Sequence, residues 1–204
     1  MDKKEYLNEI SATARPAAKP KKGIFSSKFF WIGIASVVAL IIIIIIGALI
    51  GGSNTSIKDR ISGLILHLDN VSEIIDEYQP KVKSSKLRSS GSSLKSLLGQ
   101  ASKDLTNYAT EKYKYKPSSV DKAIVNKETT TKDALYSDLF NAKINGDLDH
   151  TFAYKMAYEI SYIKSQEDRI IKSTSNDNLK EILKSSQESL TNLYDSFNNF
   201  SEAN

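Results

Sequence analysis

Two histidines, a run of carboxylates, a ladder of tyrosines and a basic stretch are the side chains in this 204-residue sequence that could do chemistry. Catalysis needs a nucleophile with its base, paired carboxylates or converging metal ligands. His67 and His150 are the two histidines, and neither lies in HExxH or ExxH spacing. His67 neighbours the apolar position Leu68, and His150 follows the expected helix cap Asp149, so both read as ordinary surface or boundary residues. Glu159, Glu167 and Asp168 could form a carboxylate cluster on one helix, although acidic residues on a charged helix ordinarily make a solvated face. Gly-rich phosphate loops are absent, and with no cysteine there is neither a Cys-based zinc pattern nor a disulfide. No cofactor and no catalytic residue is expected.

Binding residues are easier to nominate. Tyr154, Tyr158 and Tyr162 recur every four residues, and a tyrosine combines an apolar ring with a hydroxyl suited to interfaces. They could line a groove or cover the boundary of a core. Between Lys81 and Lys116 nine Lys/Arg stand against Asp104 and Glu111, with Lys81, Lys83, Lys86 and Arg88 clustered at the start. Such a stretch reads as a solvated or headgroup-facing surface, or as a site for an acidic partner.

The element that positions all of these is Phe29 to Ile50, 22 residues without a charge. As a helix it would be roughly 33 Å long, the thickness of a bilayer's hydrocarbon core. Arg15, Lys19, Lys21, Lys22 and Lys28 precede it, whereas Gly51 to Ser56 is uncharged, so the N-terminus is expected in the cytoplasm. The apolar run is too long for a cleaved signal peptide, and the reading is an uncleaved single-pass signal-anchor. The basic residues before it suit anionic lipid headgroups. Gly47 and Gly51 form a GxxxG spacing through which two anchors could pair as a homo-oligomer, or they mark the end of the span.

Around this anchor the chain divides into a largely disordered basic tail over 1–28, the span over 29–50, a short hinge over 51–56, an extracytoplasmic bundle over 57–201 and a tail over 202–204. Residues 1–52 hold seven Lys/Arg and three Asp/Glu, and the remainder carries 21 of each. Ile57, Ile61, Leu64, Leu68, Val71, Ile75 and Tyr78 follow steps of four and three, a heptad seam stopped at Pro80. A second helix is expected from about Lys81 to Tyr115, with a break near Ser89 to Ser93 where serines and Gly91 weaken it. The third starts after a Ser118 or Ser119 cap, continues through Ala123, Ile124, Leu135, Leu139 and Ile144, and ends at Asn145-Gly146, and Lys127 to Lys132 could be a loop within it. A fourth opens at Asp149, with Phe152, Met156, Ile160, Ile163 and Ile170 inside. The fifth starts near Asn178 and carries Leu179, Leu183, Ser186, Leu190, Leu193 and Phe197. Nothing reads as a strand. The fold class is all-α, an anchor followed by an antiparallel four- or five-helix bundle.

The last of these helices, Asn176 to Phe200 (NDNLKEILKSSQESLTNLYDSFNNF), resembles the final helix of extracytoplasmic ferritin-like bundle domains of bacterial envelope proteins, through Leu179, Leu190 and Leu193. The resemblance implies a bundle. Tyr194 stands where such domains commonly carry a histidine, so it does not extend to metal chemistry unless carboxylates such as Glu159 and Glu188 face the interior. The function read from the sequence is a non-catalytic binding or scaffolding module of the cell envelope. Its expected partners are the lipid bilayer and an envelope protein or acidic wall polymer; nucleic acid is not expected. A degenerate ferritin-like metal site and a self-assembling subunit are the alternatives.

Overall fold

The structure is a computed structural model that describes residues 56–202. The anchor over 29–50, the Gly47/Gly51 pairing, the basic tail and residues 51–55 of the hinge lie outside the described residues. Among those described, no helix is long and apolar enough to cross a membrane.

Five helices form the described chain: α1 (Ile57–Tyr78), α2 (Ser85–Tyr113), α3 (Lys122–Asn145), α4 (Leu148–Ser173) and α5 (Asp177–Glu202). The seam predicted for α1 is the buried one, since Ile61, Leu64, Leu68, Val71, Ile75 and Tyr78 are all inside. Ser56 caps it, accepting from the Asp59 N–H at 3.1 Å. α2 starts later than its sequence suggests, because Gln79–Lys81 makes a 3-10 turn around Pro80 and Ser84 is the cap. No break occurs at Ser89 to Ser93. Gly91 is instead where two segments touch, for a Cβ there would sit 2.9 Å from Gln79 Cγ.

α3 is capped by Asp121, whose carboxylate accepts from Ala123 N–H at 2.7 Å, rather than by Ser118 or Ser119. Lys127 to Lys132 is helical, not a loop. Gly146 at φ 78° ends α3 in the left-handed conformation that favours glycine. Asp147, not Asp149, is the residue before α4. Asp149 has another role, accepting from the Lys83 and Ser84 N–H groups at 2.8 and 2.7 Å and so fastening the α1–α2 connection to α4. Asn176 Oδ1 accepts from Leu179 N–H at 2.9 Å at the start of α5.

α1, α2, α5 and α4 pack in that cyclic order, each against its two neighbours, around a core of Leu68, Leu94, Leu98, Phe152, Ile160, Leu183, Leu190 and Phe197. Each neighbour in this ring runs antiparallel to the next, as short connections require. α3 is the fifth member, outside the ring against α1 and α4. It runs parallel to α1, because Glu128, Lys132 and Tyr136 meet His67, Glu73 and Glu77 in the same order. α3 is the least amphipathic helix of the set. Its buried side chains are Leu135, Leu139, Ala142 and Glu128, and the first of its apolar ones comes halfway along.

Candidate functional site

The polar residues that matter most come from three helices and meet inside. His67 of α1 is 3% exposed, and its two ring nitrogens lie between carboxylates: Nδ1 is 2.9 Å from Glu128 Oε2 of α3, and Nε2 is 2.9 Å from Glu159 Oε2 of α4. Both glutamates are buried. The Tyr162 ring tilts against the imidazole, with centroids 4.7 Å apart, and Asn70 donates to the Glu128 backbone carbonyl at 3.3 Å. His67 and Glu159 are therefore not the surface residue and solvated face that their sequence context suggests. Glu128 was not singled out from the sequence at all.

Burial alone would pull the His67 pKa down. The hydrogen bonds to Glu128 and Glu159 and their charges outweigh this, and raise it to about 9. At neutral pH the ring is an imidazolium donating from both nitrogens, which is the form two carboxylates require. Burial, with the charges of Glu128 and Glu159, pushes the Tyr162 hydroxyl up in turn. The carboxylates hold opposite edges of the ring and so do not converge on a common point. Among the described residues no group of three His, Asp or Glu could hold a metal ion. Glu188, named with Glu159 as an inward carboxylate, is exposed on α5.

A second polar position lies in the α4–α5 seam. Glu167 is 0% exposed, neither carboxylate oxygen has a hydrogen-bond partner, and the Ser186 hydroxyl beside it is equally unpartnered. Burial pushes the Glu167 carboxyl up to about 7. Asp168, by contrast, is exposed and accepts from Gln187 at 2.9 Å.

The tyrosine ladder splits. Tyr162 belongs to the buried cluster, whereas Tyr154 is 56% exposed and Tyr158 is exposed as well. The exposed large apolar side chains of the described residues are Val125, Tyr136, Phe140 and Ile144 on α3 and Tyr154 and Tyr158 on α4. Tyr136 and Phe140 stack with centroids 6.5 Å apart, and Ile144, 66% exposed, stands one turn further on. Ile144 therefore does not continue the apolar series of Leu135 and Leu139 expected of α3; those two are buried and Ile144 is outside.

The basic stretch is partly engaged locally. Lys81 pairs with Glu77 at 3.0 Å, and the Arg88 guanidinium donates to the carbonyls of Val82 and Lys83, both at 2.8 Å. Lys83 and Lys86 are exposed, and Lys81 and Lys83 line a shallow cleft with Lys143, Asp147 and His150. These residues sit where α1 ends and α2 begins, beside the start of α4, whose Asp149 accepts from Lys83 and Ser84. No protein-family model, curated protein or solved structure matches the chain.

Proposed function

We propose that the chain is a single-pass membrane-anchored helical bundle that acts as a non-catalytic binding module of the cell envelope, and that α3 with the adjoining part of α4 is its partner-binding surface. One observation carries the surface: every exposed large apolar side chain of the described residues falls on these two helices. Aromatic and aliphatic side chains left exposed on adjacent elements are the usual mark of a protein interface. The partner is therefore an envelope protein with an apolar, aromatic-accepting face. Charge at the α1–α2 connection is the lesser contributor, since Lys81 and Arg88 already have partners.

Extracytoplasmic placement rests on the uncharged 29–50 span and its basic N-terminal flank. The non-catalytic reading rests on His67, whose two nitrogens are occupied and whose ring is buried.

The experiment is a pulldown of the full chain from gently solubilised membranes. Wild type is compared with a Tyr136→Ser, Phe140→Ser, Ile144→Ser variant and with a variant carrying glutamate in place of Lys81, Lys83, Lys86 and Arg88. Loss of a specific protein in the first variant alone supports the α3 surface. Loss in the second alone returns the site to the basic stretch and overturns this reading. Recovery of only further copies of the chain identifies a self-assembling subunit.

A further inference from the structure

At the opposite end of the bundle from Lys81 to Arg88, α1 begins, α2 ends, α3 begins and α4 ends, and the Arg60–Ser173 hydrogen bond at 3.5 Å ties two of these termini together. The α2–α3 corner there carries Lys112, Lys114, Lys116 and Lys122, all exposed. None of the four forms an ion pair among the described residues, whereas Lys81, Lys95, Lys132 and Lys155 further along pair with Glu77, Asp76, Glu73 and Asp138. Of the nearby carboxylates, Glu111 on the last turn of α2 forms no ion pair among the described residues either, and the others are engaged. Asp59 accepts from Ser56, Asp121 caps α3, and Asp177 pairs with Lys180.

Lys114 adds a second, independent observation. At φ 53° it is the single non-glycine residue of positive φ among those described. The comparable corner after α3 uses Gly146. A side chain in the left-handed region costs conformational free energy that glycine avoids, so a lysine held there points to a use for its charge.

Connectivity supplies the occupant. Ser56, the cap of α1, follows Ile50 by six residues, a tether of at most about 20 Å. The far end of α1 lies roughly 33 Å further along the helix. We infer that Lys112, Lys114, Lys116 and Lys122 form a docking surface for the anionic headgroups of the membrane in which the chain is anchored. The bundle then stands with this corner on the lipid and with Lys81 to Arg88 at its outer end. This inference rests on the anchor reading. Lysines near an anionic surface are attracted within about a Debye length, so a short tether and an unpaired cluster act together.

The chain has no cysteine, so single labels are clean. Full-length Ser118→Cys (corner) and Ser89→Cys (outer end) proteins, each carrying a fluorophore, are reconstituted in phosphatidylcholine vesicles with or without phosphatidylglycerol and a headgroup-borne quencher. Both serines are exposed. With phosphatidylglycerol present, the corner label is expected to be quenched several-fold more strongly than the outer label. That difference should disappear in phosphatidylcholine alone, in high salt and when the four lysines become glutamate. Lys114→Gly should raise thermal stability while lowering the corner quenching, which separates charge from folding. Equal quenching at the two labels, or quenching indifferent to charge reversal, overturns the docking surface. Vesicle flotation and resistance to alkaline extraction read the anchor separately: flotation without preferential quenching removes the docking surface alone, and failure to float removes both.

Discussion

Replacing Glu128 by alanine asks whether one side chain holds the first half of α3 to the bundle. From Lys122 to Ala134 it is the sole buried residue, and Ile124, half-buried over Gly63, is the main apolar help. The rise of the His67 pKa from 6.5 to about 9 corresponds to about 3 kcal/mol of preference for the imidazolium, shared between two carboxylates. Deleting one carboxylate also strands a buried ring nitrogen, so Glu128→Ala should cost about 2–3 kcal/mol. Glutamine behaves differently. A neutral His67 donating from Nε2 to Glu159 and accepting at Nδ1 from the introduced side-chain amide leaves no group unsatisfied, so Glu128→Gln should cost under about 1 kcal/mol. Amide hydrogen exchange on the detergent-solubilised full chain reads this directly. Protection over Lys122 to Thr131 should fall about 30- to 160-fold in the alanine variant and less than about fivefold in the glutamine variant, with α2 and α5 unchanged. In both variants His67, followed by NMR, should titrate below about 9. Equal protection loss in the two variants, or a His67 still titrating near 9 without Glu128, would refute the reasoning.

Three further outcomes follow from buried groups and close contacts. Because the folded His67 pKa is raised from 6.5 to about 9, its stabilisation is complete below pH 6.5 and lost as pH rises through 9. Thermal melts should therefore fall across that window in wild type, and less in Glu128→Gln, where His67 faces one carboxylate fewer. Glu167 also binds its proton more tightly when folded, at about 7 against an ordinary 4.5, so its effect is confined to the interval between those values. The stability of Glu167→Leu relative to wild type should widen by about 3 kcal/mol from pH 4.5 to pH 8, since the variant no longer has to ionise a buried carboxyl; a flat difference would mean water reaches Glu167. Gly91→Ala should lower the melting temperature despite alanine's better helix propensity. Its Cβ would meet Gln79 Cγ at 2.9 Å and dislodge the Gln79 amide from the Arg88 carbonyl and Ser92 hydroxyl, a loss of about 1–2 kcal/mol.

Periodicity made four of the helices legible, because α1, α2, α4 and α5 each bury a stripe that repeats at steps of three and four. Their starts were less legible. Whether Ser118, Ser119 or Asp121 caps α3 depends on which hydroxyl or carboxylate meets an N–H, and a sequence rich in such residues offers several. The triad was illegible for a stronger reason. His67 lies 61 residues from Glu128 and 92 from Glu159, so no local spacing links them. Glu167 did leave a trace. Met156, Ile160, Ile163 and Ile170 leave a vacant seam position four residues after Ile163, and Glu167 fills it opposite Ser186, itself a seam position of α5. Reading Glu167 as part of a solvated face hid that gap.

α3 reverses the distribution by which the other helices are held. Its inward face relies on a carboxylate as well as on Leu135, Leu139 and Ala142, while Val125, Tyr136, Phe140 and Ile144 remain outside. Burying what remains exposed of Phe140 or Ile144 would stabilise by about 1–2 kcal/mol each, so their exposure is a standing cost to the isolated bundle. A paired histidine and two glutamates contribute less net stability than apolar residues of the same volume would, but they fix partner and register. Glu128 meets His67, Lys132 meets Glu73 and Tyr136 meets Glu77, one polar contact on each successive turn of α3. A helix fixed in register by polar contacts can leave its aromatic residues outside without slipping to bury them. That combination, a positioned helix with an unspent apolar surface, is what a binding module needs and a self-sufficient bundle does not.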